Sequence, residues 1–334
     1  MSAPFTDKPR SRRLLYGGSA ALTAAALAGG AWFFLDRGQA AVGCDTLVND
    51  QRLASALGSH HSSEMDCKEL GAAVKTATGG GTGPRTKAQA DNMKQIVLAV
   101  SDNLDNNDRV VAADLRLPLA EALTRYTDDI EKALYGLDSQ YDSMADRDDP
   151  AWQDETGFHF SVFVNELVDV LRAISEDPAA YAVLRNAQTN WGAAQFASLP
   201  TSIKGNTLLL APTGNASALG TYDAIAVDVL RHKDASSRDR WTDLVYAALR
   251  EPTPAASAPG SALSERITRS WRNSLAKAPA GQRIDHLRTQ ASLMFTTWIE
   301  AVGMDQAQAE SAQEKNRRTG ESAYGETIRR LGTS

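Results

Sequence analysis

The chain has 334 residues, with 35 Lys+Arg against 41 Asp+Glu, 43% hydrophobic residues and only 2 Cys. That length allows one large or two ordinary domains, and 23% charged residues at a net charge of −6 is not the composition of a disordered chain. The balance excludes a polycation with a generic nucleic-acid footprint, and two cysteines exclude a disulfide-framework miniprotein and a zinc site built from C-x₂-C pairs.

The first element in chain order is an expected membrane anchor. Leu14 to Leu35 reads LLYGGSAALTAAALAGGAWFFL, 22 residues without a charge. At helical rise this spans roughly 33 Å, enough for a hydrocarbon core of about 30 Å. Lys8, Arg10, Arg12 and Arg13 precede it, so the positive-inside rule puts residues 1–13 in the cytoplasm and everything after residue 37 outside. Trp32, Phe33 and Phe34 sit where an interfacial aromatic belt belongs. Two competing readings use the same segment. A signal peptide cleaved near Gly38-Gln39-Ala40 would release a secreted protein, but its apolar region is usually shorter, about 7–15 residues. Ala41-Val42-Gly43-Cys44 resembles a lipobox, but the charges of Asp36 and Arg37 break the uncharged approach to it. Beyond residue 40 there remain 30 basic against 39 acidic residues, a balance that disfavours docking on anionic lipid.

Residues 36–84 are expected to form a helical stalk with a Gly-rich linker. Outside the cytoplasm Cys44 and Cys67 are expected to pair, although nearby His60, His61, Glu64 and Asp66 leave a metal reading open. Thr78–Pro84 then separates this segment from a main helical domain, 85–250, and the Ala/Pro/Ser run Pro252–Pro259 separates that domain from a C-terminal helical pair, 260–330. Apolar residues recur at helical spacing throughout: Met93, Ile96, Val97, Val100 and Leu104; Leu119, Leu123, Tyr126, Ile130 and Leu134; Phe163, Leu167, Val170, Leu171 and Ile174. Trp241, Leu244, Val245 and Leu249 continue the pattern, followed by Ile284, Leu287, Ala291, Met294 and Trp298. Pro118, Pro150 and Pro178 each suit a first helical position, with Asp149 and Asp177 as caps. Thr207–Leu210 is the only short strand candidate, and Gly320 and Gly325 predict a fraying tail. The expected fold class is therefore all-α: one transmembrane helix followed by an extracytoplasmic multi-helix bundle.

Chemistry-bearing patterns are sparse. Asn103, Asp105, Asn107, the Arg109 carbonyl and Asp114 resemble the calcium loop of dockerin and EF-hand proteins, with Val110 at the apolar eighth position. The pattern departs from that family at Asn103 in position 1, at Asp108 where Gly makes the turn, and at Asp114 where a bidentate Glu closes the site. A solvated helix–helix turn is the competing reading. His159 lies between Phe158 and Phe160, and His60, His61, His232 and His286 are scattered; surface or packing roles are expected for all five. Asp128-Asp129 and Asp148-Asp149 have the residue types that flank a glycosidic bond, but charged helix ends are usually solvated. Neither H-E-x-x-H nor G-x-S-x-G occurs, and Gly79–Gly83 lacks the Lys-Ser/Thr of a P-loop. Trp152, Trp191, Trp241, Trp271 and Trp298 are expected as core anchors.

One longer resemblance rests on Leu117-Pro118-Leu119-Ala120-Glu121-Ala122-Leu123, Tyr126-Thr127-Asp128-Asp129, Ser175-Glu176-Asp177-Pro178-Ala179-Ala180-Tyr181 and Ala187-Gln188. These segments resemble large helical proteins of actinobacteria that accompany WXG-type secretion or toxin systems. Trp191-Gly192 is adjacent where that family has Trp-x-Gly, so no functional residue transfers. The expectation is a membrane-anchored helical module that binds other proteins, without a nucleic-acid partner. The alternatives are an envelope hydrolase with a carboxylate site and a calcium-responsive envelope protein.

Overall fold

The computed structural model describes residues 43–79, 83–105, 110–200, 209–251 and 261–333. The expected anchor Leu14–Leu35 lies outside the described residues, as do 80–82 of the Gly-rich linker and the run 252–260. Among the described residues no helix is long and apolar enough to cross a membrane. All of them fall within one compact unit, Gln39–Ser334.

The order of elements is α1 (Cys44–Val48), α2 (Gln51–Leu57), α3 (Cys67–Gly79), α4 (Lys87–Asp105), α5 (Ala113–Leu123), α6 (Thr127–Tyr135) and α7 (Ser139–Ser143). A hairpin of β1 (Trp152–Asp154) and β2 (Gly157–His159) follows. Then come α8 (Val164–Ile174), α9 (Pro178–Ser198), α10 (Leu210–Arg231), α11 (Ala235–Arg250), α12 (Ala262–Leu275), α13 (Arg283–Leu287), α14 (Gln290–Val302) and α15 (Gln306–Thr333). The architecture is predominantly helical, as the periodicity requires. Its departures are local and have physical causes. A strand pair lies at 152–159; of the candidate Thr207–Leu210, residues 207 and 208 lie outside the described residues and Leu210 already begins α10. Pro118 sits inside α5, near enough its exposed start that water can serve the carbonyl of Asp114. Pro150 leads into β1 and starts no helix. Asp177-Pro178 behaves as expected: the Asp177 carboxylate accepts from the N–H groups of Ala179 and Ala180 at 2.7 and 3.4 Å.

Cys44 and Cys67 form a disulfide with Cα atoms 5.3 Å apart, tying α1 to the start of α3. Closing a loop of this size removes about 3 kcal/mol of unfolded-chain freedom. The segment so pinned packs through Leu47, Leu53, Leu70 and Val74 into the main hydrophobic cluster, beside α4 and α5.

At the centre lies α10, whose residues from Pro212 to Leu230 are buried almost without exception. It is wrapped by α6, α9, α14 and α15. A helix covered all round needs small side chains where neighbours cross, and α10 supplies Gly214, Ala216, Ser217, Ala218 and Gly220. At the crossing with α15, a Cβ on Gly220 would fall on the carbonyl of Gly320, and one on Gly320 would meet the Ala216 carbonyl at 3.3 Å. Gly320 therefore marks a close helix contact, and α15 runs unbroken to Thr333 where a frayed tail was expected. Trp241, Trp271 and Trp298 are buried as core anchors, whereas Trp152 and Trp191 are only partly covered.

Candidate functional site

A close group of ionisable side chains is built where α6, α7, the hairpin and the approach to α4 meet. Asp128 and Asp129 lie in the first turn of α6, where acidic residues favour the helix N-terminus. The hairpin turn Glu155-Thr156 is closed by the Asp154 carboxylate, which accepts from the Thr156 N–H at 2.6 Å and its hydroxyl at 2.7 Å. Gly157 takes the positive φ of 140° that leaves the turn. Antiparallel pairing of Trp152 with His159 and Asp154 with Gly157 then carries His159 inward, fully buried.

Both imidazole nitrogens face carboxylates. His159 Nδ1 lies 2.6 Å from Asp129 Oδ1, and Nε2 lies 2.9 Å from Asp154 Oδ1, both at hydrogen-bond distance. A carboxylate on each side favours the doubly protonated, imidazolium form of the ring. Burial alone lowers its pKa, but the hydrogen bond and charge of Asp129, then Asp154, outweigh that and raise it above the ordinary histidine value. Desolvation pushes the Asp129 carboxyl upward, against the hydrogen bonds from His159 and from Tyr141, whose hydroxyl donates at 2.5 Å, and the charge of Arg85. We place the shared proton on the ring, since Tyr141 and Arg85 both stabilise Asp129 as the anion. Arg85 grips Asp128 in two-pronged fashion, at 2.7 and 2.6 Å, and lies 3.3 Å from Asp129 Oδ2. Its guanidinium also lies over the Tyr126 ring, 5.0 Å from the centroid. Two cations thus face three carboxylates.

Asp128, Asp129 and His159 bring ligand atoms within 4.8 Å of one another, a donor set that suits a divalent cation. Here Arg85 already fills the cationic role. A metal would have to displace its guanidinium and take the imidazole proton. These carboxylates are not among the residues that line the groove below or the smaller cavity beside α13. The expectation of a solvated Asp128-Asp129 pair is corrected: Asp129 is 1% exposed and spends its oxygens inside the protein. His159, expected in a packing role, is the hub of the cluster. Hairpin pairing, invisible to a helical period, brings it there; the Asp-x-Thr-Gly turn beside aromatic residues is the signal that marks it.

The calcium-loop residues are distributed differently. Asn103, on the last turns of α4, donates through Nδ2 to Asp50 Oδ2 at 3.1 Å and to the Ala99 carbonyl at 2.8 Å. Asp50 is the N-cap of α2, so this contact joins two helices. Asp114 is exposed in the first turn of α5. Asn107 and the side chain of Asp105 lie outside the described residues. Of the remaining histidines, His61 bonds the Val48 carbonyl at 2.8 Å, and His286 stacks on Trp271 at 5.7 Å.

A groove of about 940 Å³ opens between the α6–α7 turn, the start of α8, α10 and α15. Leu137, on its rim, is 73% exposed, and Phe163, immediately before the groove-lining Val164, is 47% exposed. Lys315, Arg318, Glu314 and Glu326 line the opposite wall from α15. Comparison of the chain with protein-family models, with curated proteins and with solved structures finds no match.

Proposed function

We propose that this chain is an extracytoplasmic helical module, anchored through Leu14–Leu35, that works by holding another protein in the groove between the α6–α7 turn and α15. The observation that carries this reading is Leu137, a large apolar side chain left in water on the lining of the concavity, with exposed Phe163 next in sequence to the lining residue Val164. Exposed apolar anchors beside a polar wall are the usual makeup of a docking site whose energy comes from a few residues. The buried charges support the same reading, because their hydrogen-bonding capacity is spent on the fold: Arg185 on Tyr181, Asp223, Gln290 and the Leu287 carbonyl, and Arg172 on Asp228 and Glu176. The resemblance to helical proteins that accompany WXG-type secretion systems narrows the proposed partner to an envelope secretion component.

A photo-crosslinking amino acid placed at Leu137 in the full-length protein, in its native membranes, tests the groove. The expected result is a discrete adduct from position 137 and none from Leu244, an exposed apolar residue on α11 that does not line the groove. Equal labelling from both positions, or none from either, would remove the groove from the proposal.

A further inference from the structure

The second half of α6 is joined to its neighbours through a buried carboxyl that no cation meets. Glu131 makes no ion pair among the described residues. From α9 the Gln188 amide donates to its Oε2 at 2.5 Å, with Trp191 and Gln195 beside it. From α10 come Asn215, whose Oδ1 accepts from the same Gln188 amide at 3.0 Å, and, within electrostatic reach, the Tyr222 hydroxyl. A Cβ on Gly214 would lie 3.1 Å from Oε1, so the α10 backbone also closes over the carboxyl. On its own helix Asp128 adds a like charge. Of the other groups on elements packed against α6, Arg185 of α9 is held by Asp223, Arg172 of α8 by Asp228 and Glu176, and Tyr141 of α7 by Asp129.

Gln188 Oε1 and Gln195 Oε1 have no hydrogen-bond partner among the described residues. A neutral Glu131 carboxyl brings an O–H donor to this group of acceptors, whereas the carboxylate is a buried anion facing neutral amides and another carboxylate. Water relieves that charge only where α6 parts from α9 and α10. The two ends of α6 resist parting unequally. Its start carries Asp128 and Asp129, gripped by Arg85 and His159. Its last turn meets α10 through neutral bonds, Ser217 Oγ to the Leu134 carbonyl at 3.3 Å and the Tyr135 hydroxyl to Thr213 Oγ1 at 2.9 Å. Gly136, at a φ of 62°, ends the helix, and Leu137 follows on the groove. We propose that Glu131 is a proton-operated latch: protonated, it keeps the last turn of α6 seated on α9 and α10; ionised, it lets that turn swing away from the pinned start of the helix. Leu137 follows that turn. The consequence for the groove, which rests on the docking reading above, is that a partner is held in mildly acidic surroundings and loosened as pH rises.

Hydrogen exchange of the full-length protein in detergent, read by mass spectrometry at about pH 6 and about pH 8 with intrinsic rates corrected, tests the latch. It needs no partner, so its outcome is independent of whether the groove binds one. Burial holds the seated carboxyl at about 7 against 4.5 when released. Linkage then makes opening of residues 132–137 about tenfold more frequent at the higher pH. Peptides from α12 should show no such rise. Glu131→Gln, which keeps a hydrogen-bonding end group but does not titrate, should remove the difference. Should that variant fail to fold, Glu131→Met, uncharged and of similar length, takes its place. Equal protection of 132–137 at the two pH values would overturn the proposal. So would a rise that α12 shares in full, which is loosening of the whole molecule. A rise that persists in the neutral variant would also overturn it, by assigning the effect to another group such as His159.

Discussion

Glu131 on α6 is 4% exposed, and the Gln188 amide donates to its Oε2 at 2.5 Å. Burial pushes its carboxyl from 4.5 up to about 7, only partly opposed by Gln188 and its neighbours. Between those values the folded protein keeps a proton that the unfolded chain has released, so stability falls as pH rises through that window. The loss is on the order of 3 kcal/mol. His159 acts in the same sense: its contribution is complete below the ordinary histidine value of 6.5 and is lost as pH rises through its raised pKa. Asp154 works the other way. Slight desolvation is overridden by the Thr156 bonds and by His159, its pKa is lowered, and its contribution, present above 3.8, is lost in acid. Denaturant midpoints are therefore expected to fall from pH 4.5 to about 7, and Glu131→Gln should flatten that slope. A wild-type midpoint that is constant or rising over the window would contradict this account of Glu131.

At the scale of elements, the crossing of α10 with α15 is the most restrictive contact. Gly220→Ala gains about 1 kcal/mol of helix propensity but places a methyl on the Gly320 backbone, which cannot move without shifting α15. A net destabilisation of about 1–3 kcal/mol is expected, read as a lower denaturant midpoint with an unchanged m-value. An unchanged or raised midpoint would mean that the two helices are farther apart. The same pair shows what a sequence can reveal. Helices covered on one side announce themselves, and Met93, Ile96, Val97, Val100 and Leu104 of α4 are all buried. The run Leu119, Leu123, Tyr126, Ile130 and Leu134 is buried too, although a short 3-10 turn at Thr124–Tyr126 divides it between α5 and α6. Phe163 and Leu244 belong to such stripes yet remain exposed, since a stripe does not state how far the neighbour extends. By contrast α10 is covered on every face and α15 buries Asn316 and Thr327, so neither shows a one-sided apolar pattern. Pairing across the hairpin, which delivers His159, is a relation between two three-residue strands and leaves almost no periodic trace.

At the scale of the molecule, the disulfide, the buried ion networks and the enclosed α10 make one compact unit of the described residues. The proposed partner is the surface that would cover Leu137 and Phe163, both left in water on this unit. Affinity purification of the full-length, detergent-solubilised protein from its native membranes tests this most directly, with mass spectrometry of what accompanies it. The wild type is compared with a Leu137→Glu, Phe163→Glu double variant. Charging two apolar anchors should weaken a groove-bound partner by about 2 kcal/mol or more, roughly thirtyfold in Kd. The account predicts a stoichiometric partner with the wild type that is lost from the double variant while both proteins melt alike. A wild type that returns alone and monomeric, or a partner retained undiminished by the variant, would contradict it.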